Sequence, residues 1–188
     1  MADSAAPSSK RQEIVDQAYR LFYDGGFHAT GVDAVMADTG ISKRTLYKYF
    51  PSKEHLIEAV LDKYGNQVDD MLFKPAFARA TEPKAQIRAV FEVRREMMSA
   101  TRCQGCLANM AAMEYAGKHE GITGNGRRAS LYLEGRFIAL CEQAGFADAA
   151  ERGRRINLVF QGAIQTSSMR GDTETFGAAI AMLDQLLS

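Results

Sequence analysis

Apolar residues recur at helical spacing along nearly the whole chain, and strand-like alternation is missing. Ile14, Ala18, Leu21 and Phe22 fall at i, i+4, i+7 and i+8, which draws one apolar stripe on a first helix. That helix is expected to start near Ser9, with Gln12 completing a capping box, and to stop at Gly25-Gly26, where glycine takes the left-handed conformation without penalty. A second, short helix is predicted over 32–39, with Val32, Val35 and Met36 inward and Thr30 near its N-cap. Gly40 ends it, Ile41 turns inward, and Ser42 caps a third helix that buries Leu46 and Phe50. Pro51 closes this helix and Ser52 caps a fourth. The fourth carries Leu56, Ile57, Val60, Leu61 and Tyr64 in period and runs to about residue 71.

Pro75 is then expected to break the chain, and Thr81 with Pro83 to open a helix bearing Ile87, Val90, Phe91, Met97 and Met98. Further helices are predicted near 104–117, 126–144, 149–169 and 173–187, with Gly145 and Gly171 at the stops. The fold class is therefore all-α. Three short helices and a longer connecting one (53–72) precede a larger helical domain over 73–188, and residues 1–9, small and polar, read as a disordered tail.

Composition adds boundaries to this picture. The chain has 188 residues, 46% hydrophobic and 24% charged, as an ordinary globular protein does. No apolar run approaches the roughly 18–20 residues needed to cross a bilayer, and the N-terminus lacks the apolar segment of a secretory signal. Three cysteines, an odd number, argue for a reducing environment without a disulfide framework, so a cytoplasmic protein with no membrane partner is expected. The net charge is zero, so nothing global points to nucleic acid.

Local charge tells a different story. Residues 31–50 have the proportions of a helix-turn-helix: a short helix, the turn Gly40-Ile41-Ser42, and a second helix with one buried face. From Gly40 to Lys53 there are four cations (Lys43, Arg44, Lys48, Lys53) and no acid. A phosphate backbone requires only the facing surface to be positive. Arg44 suits bidentate contact with guanine, and Lys43 or Thr45 could also reach base edges. Thr30, Ser42, Tyr47, Lys48 and Tyr49 offer hydroxyl or ammonium donors to phosphate oxygens, and Lys53 stands in the first turn of the fourth helix, where the helix dipole adds to its charge. The same residues would also suit a plain three-helix bundle with a solvated basic face.

The stretches Ala18-Tyr19-Arg20-Leu21-Phe22, Gly26-Phe27-His28-Ala29-Thr30 and Gly40-Ile41-Ser42-Lys43-Arg44-Thr45-Leu46-Tyr47-Lys48-Tyr49-Phe50-Pro51-Ser52-Lys53 resemble the N-terminal domain of the TetR (AcrR-type) repressors. The resemblance spans about residues 10–64 without a gap. It implies a DNA-binding domain over 10–52, a homodimer, an all-helical ligand-binding and dimerisation domain over 73–188, and repression relieved by a small-molecule effector. A dimer would read a pseudo-palindromic stretch of double-stranded DNA, with half-sites about 34–36 Å or a multiple apart.

The C-terminal part is rich in methionine and aromatic residues, which make adaptable pocket linings and equally good cores. Phe73, Phe91, Met98, Met110, Tyr132 and Met169 are candidate pocket residues, joined by two polar residues on apolar stripes, Glu114 and Gln165, which need a partner if buried. The last two helices are expected to form the dimer interface: Ile156, Val159, Phe160, Ala163 and Ile164 beside Gly162, and Phe176, Ile180, Leu183 and Leu187. Both stripes could instead be satisfied within one subunit.

Cys103-Gln104-Gly105-Cys106 opens a predicted helix, and a thiol there is physically suited to sensing oxidants or electrophiles. Zinc would need more ligands than His119 supplies, and a thioredoxin-like enzyme would need a flanking βαβ pattern that is missing. The segment Gly105-Cys106-Leu107-Ala108-Asn109 also resembles a helix opening common in C-terminal domains of the same family, where the cysteine mostly packs. Cys141 lies on an apolar stripe with Phe137 and Ile138. No acid–base or nucleophile–base grouping of an enzyme is visible, and no cofactor or metal is expected.

Overall fold

The computed structural model describes residues 10–37 and 40–188. The expected tail at 1–9 and the predicted end of the second helix at 38–39 lie outside them. All regular structure among the described residues is helical: α1 (Lys10–Gly25), α2 (Val32–Met36), α3 (Lys43–Tyr49), α4 (Lys53–Val68), α5 (Lys74–Arg79), α6 (Pro83–Ala100), α7 (Leu107–Glu114), α8 (Glu120–Gln143), α9 (Ala149–Arg170) and α10 (Thr175–Leu187).

Two apolar clusters hold these helices. In the first, Ile14, Ala18 and Phe22 of α1 meet Phe27, Leu46, Phe50 and the inner face of α4 (Leu56, Ile57, Val60), all essentially inaccessible to water. Burying each such aliphatic or aromatic side chain contributes about 1.5–3 kcal/mol. Leu107, Ala108, Ala111 and Tyr115 belong to the same cluster. The N-terminal helices are thus roofed by α7, which arrives from the far half of the chain. The second cluster is centred on Phe91, Phe137 and Phe160, whose rings approach at centroid distances of 5.0–6.1 Å in tilted and edge-on geometry.

Two glycines set how closely α8 meets its neighbours. A Cβ on Gly126 would stand 2.5 Å from Ala112 Cβ and 3.0 Å from the Ala108 carbonyl of α7. One on Gly153 would stand 2.7 Å from the Ile138 backbone nitrogen, so α9 crosses α8 at near backbone contact.

Several boundaries differ from the sequence reading. Pro75 does not break the chain: α4 passes through a π-helical turn (Asp69–Phe73) into α5, with Pro75 in its first turn. The Lys74 amide reaches the Asp69 carbonyl five residues back, and the wider π turn accommodates a residue that cannot donate. The break falls instead at Ala80, whose backbone is extended. α7 starts at Leu107 rather than near 104, because Arg102 and Cys103 have positive φ (52° and 57°) and turn the chain out of helix. α8 starts six residues before the predicted 126, capped by His119, whose ring accepts from the Ile122 amide.

The stripes proposed for the dimer interface face inward. Ile156, Phe160, Ala163, Ile164, Phe176, Ile180 and Leu183 are all buried in the second cluster, with Val159 and Leu187 packed against it. α9 instead presents Leu158 (73% exposed), Gly162, Gln165 and Met169 (72%) on its outer face, and α10 presents Met182. A Cβ on Gly162 would meet nothing within 4 Å.

Candidate nucleic-acid interface

The turn between α2 and α3 is fixed by local chemistry. Gly40 has φ 63°, which an L side chain adopts only under strain. Ser42 is extended (φ −74°, ψ 153°), and its Oγ accepts the Thr45 amide at 3.2 Å, satisfying one orphan donor of α3. Phe50, extended at φ −133° as a residue before proline should be, terminates α3. Ser52 then repeats the capping arrangement on α4 by accepting the His55 amide. Between these caps, Leu46 and Phe50 anchor α3 to the first cluster. Its opposite face is therefore fixed outward.

That outward face carries Lys43, Arg44, Tyr47, Lys48 and Tyr49, all exposed, with Thr45 half-buried. Ser42 is exposed, and its hydroxyl lies 2.9 Å from that of Thr45. Lys43 forms an exposed ion pair with Asp33 of α2 at 2.6 Å, which raises the lysine's pKa through that hydrogen bond. Such a surface pair is weak and salt-screened, so Lys43 can exchange its partner for a phosphate. Lys53, half-buried at the start of α4, reaches the His28 carbonyl at 3.5 Å. Eight of the nine residues expected at DNA thus gather on Ser42, α3 and the first turn of α4. Thr30 is placed otherwise: it is buried (7% exposed) and donates to the Leu21 carbonyl at 3.2 Å, tying α1 to the α2 entry. Its proton is not available to a phosphate oxygen.

Behind this unit lies a cavity of about 350 Å³, walled by α4 (Leu61, Tyr64), the π turn (Met71, Leu72), α6 (Arg94, Met97), Cys106, α8 (Asn125, Tyr132) and α9 (Phe160, Ile164). The size and apolar lining are those of a small-molecule pocket. Of the candidate pocket residues, Tyr132 lines it. Phe73, Phe91 and Met98 are packed in the second cluster outside the wall, Met110 packs on the first cluster, and Gln165 and Met169 face outward on α9. Glu114 has another task, since its carboxylate accepts the amides of Phe27 and His28 at 3.1 and 2.7 Å. The polar wall residues Arg94 and Asn125 escaped the sequence reading. Arg94 falls four residues after Val90 and four before Met98, a charge on an apolar stripe, which is the signal that could have found it.

The cysteines are free. Cys103 is buried in the second cluster, while Cys106 stands at the N-cap of α7 and in the cavity wall. Burial pushes the Cys141 thiol up to about 11. His119 is engaged as a helix cap and approaches Glu58 at 4.0 Å.

Comparison with known proteins bears on both halves. Residues 14–60 match the family described as bacterial regulatory proteins, tetR family. The uncharacterized HTH-type transcriptional regulator YxaF of Bacillus subtilis is 28% identical over 167 residues, 86% of each chain. The HTH-type transcriptional regulator RutR of Escherichia coli is 36% identical over 113 residues, 56% of this chain and 51% of RutR. The crystal structure of a putative TetR transcriptional regulator from Streptomyces avermitilis superposes with a TM-score of 0.82 at 28% identity, covering 96% of this chain and 97% of that one. The helix-turn-helix, the helical C-terminal half and these similarities agree: residues 14–60 form a tetR-family DNA-binding domain, and over its length the chain is similar to TetR-type transcriptional regulators.

Proposed function

We propose that this chain acts as a homodimeric repressor, released from a pseudo-palindromic operator when a small molecule enters the cavity behind α4. The observation that carries the reading is the position of α4. Its N-terminus is capped by Ser52 beside the outward face of α3, while Leu61, Tyr64 and Val68 in its second half line the cavity. A ligand that shifts this wall also moves the recognition helix, and helices are rigid enough to carry such a displacement. α7 supplies a second route, with Cys106 and Ala108 at the cavity and Glu114 on the Phe27-His28 backbone.

The partner surface we assign is the outer face of α9 and α10, where Leu158, Gly162 and Met169 leave a large apolar side chain on either side of a glycine that permits close approach. A two-fold axis there would build a four-helix bundle from two copies. Linkage then requires that effector and operator each weaken the other's binding by the same factor. The test is titration of a promoter duplex with the purified protein, with and without molecules retained from the expressing cell. Displacement supports the reading, and an effector-loaded protein that binds DNA unchanged would contradict it.

A second reading is favoured by one observation, the place of Cys106 in the cavity wall. There an α,β-unsaturated carbonyl compound entering the cavity would be attacked at its β-carbon by the Cys106 thiolate; the C=C π pair shifts to the α-carbon, which takes up a proton in place of the one the thiol gave up, and the adduct acts as a covalent effector. Loss of DNA binding on alkylation, prevented by Cys106→Ser, distinguishes it. A Cys103–Cys106 disulfide would be distinguished by rescue with reductant.

A further inference from the structure

Arg94 lies two-thirds of the way along α6, is 5% exposed, and belongs to the cavity wall. Among the described residues no carboxylate pairs with it. Its Nε and Nη2 have no hydrogen-bond partner, while the Tyr23 hydroxyl lies within hydrogen-bonding reach of the guanidinium. The other groups close enough to interact with its charge are the Tyr64 phenol and the Cys106 thiol, both also in the wall, and the Tyr19 phenol. Burial pushes the Tyr64 phenol well above its ordinary range and raises that of Tyr23, so neither supplies an anion near neutral pH. A guanidinium does not shed its proton inside a protein. The charge is therefore buried without compensation, an arrangement that costs stability and is retained where something else completes it.

The two unsatisfied nitrogens define what that partner is. Nε–H and Nη2–H project in parallel from the same edge of the guanidinium, the fork that grips the two oxygens of one carboxylate. That planar two-donor fork matches the two coplanar oxygens of a carboxylate, while Arg128, the second cation of the wall, is exposed and engaged with Asn125 and Asp62. Much of the remaining wall is apolar, with Leu61, Met71, Met97, Leu133 and Ile164 lining the cavity together with the polar Asn66, Asn125 and Arg128. Asp62, also in the wall and 4.0 Å from the exposed Arg128, disfavours a second acidic group there.

We infer that the effector is an amphipathic carboxylic acid, held by its carboxylate on Arg94 with its apolar body in the cavity. This rests on the reading of the cavity as the effector site, and the measurement separates the two. Calorimetric titrations of the full chain use matched acid and amide pairs, decanoate with decanamide and 2-naphthoate with 2-naphthamide. At least one acid should bind about ten-fold or more tightly than its amide, since a charge-assisted pair is lost in the amide. Arg94→Met should erase that preference while leaving the amide's affinity within about three-fold. Acids and amides that bind alike, or a preference that survives Arg94→Met, would overturn the carboxylate assignment and leave the cavity as an effector site. No binding by any member would overturn both. A ligand-free measurement guards against a purely structural role: removing an uncompensated buried charge should leave the melting temperature of Arg94→Met at or above that of the wild type. A fall of several degrees would make Arg94 structural and contradict the assignment.

Discussion

The carboxylate of Glu114 accepts the backbone amide of His28 at 2.7 Å, and the His28 ring nitrogen Nε2 lies 2.9 Å from the Glu114 carbonyl oxygen. The last turn of α7 thus grips the loop between α1 and α2 from both sides, with Phe27 donating a further amide bond to the same carboxylate. Two backbone donors lose a charged acceptor if the side chain is removed. Glu114→Ala should destabilise the protein by about 1–3 kcal/mol in urea denaturation, and Glu114→Gln, which keeps one acceptor, by less. Unchanged stability in both variants would mean that the N-terminal helices are held without this clamp.

The glycines of α9 make opposite predictions. Gly153→Ala forces a methyl to within 2.7 Å of the Ile138 backbone and should cost about 2–3 kcal/mol or more, because backbone cannot yield as a side chain can. Gly162→Ala meets nothing within the subunit and gains up to about 1 kcal/mol of helix propensity. Denaturation of the two variants side by side checks the contrast. In sedimentation, Gly162→Ala should associate more weakly than the wild type if this face approaches a second copy.

The proposed dimer face has a sharper test. Leu158 and Met169 are both more than two-thirds exposed, so changing them leaves the core untouched. The double variant Leu158→Glu, Met169→Glu should sediment as a monomer with wild-type helicity by circular dichroism, and should lose operator affinity because one half-site alone is bound weakly. A dimer that persists would place the interface elsewhere.

Cysteine reactivity follows from placement. Burial holds the Cys141 thiol near 11, so at pH 8 it is almost wholly protonated as well as shielded. Peptide mapping after iodoacetamide treatment of the native protein should find Cys106, the half-buried one, modified before Cys141. A cavity ligand should slow the reaction at Cys106. Equal labelling of both would show that the second cluster opens readily.

Much of this molecule was legible in its sequence, for identifiable reasons. The N-terminal unit could be read because each stop is a local device: Gly40 at positive φ, Ser42 and Ser52 as caps, Phe50 extended before Pro51. The outward residues of α3 followed from the burial of Leu46 and Phe50, which leaves its other face exposed. Thr30 was harder to place, since its partner, the Leu21 carbonyl, belongs to another element. The same holds more strongly for the C-terminal half. The apolar stripes of α9 and α10 do not say which helix they meet, and they meet α8, α6 and each other rather than a second copy. Pocket residues are the least legible: a methionine or phenylalanine in period fits core and cavity alike, whereas Arg94, the one charge on the stripe of α6, was the informative departure.

DNA reading by α3 is tested most directly by fluorescence anisotropy on duplexes that the wild-type protein selects from a random pool, against a scrambled duplex at matched salt. Arg44→Ala should lose about 1–3 kcal/mol on the selected duplex, with relaxed preference at one base pair of each half-site. Lys48→Ala should weaken binding to both duplexes alike and lower the salt slope by about one. If Arg44→Ala binds both duplexes as the wild type does, the outward face of α3 is not the surface that reads the operator.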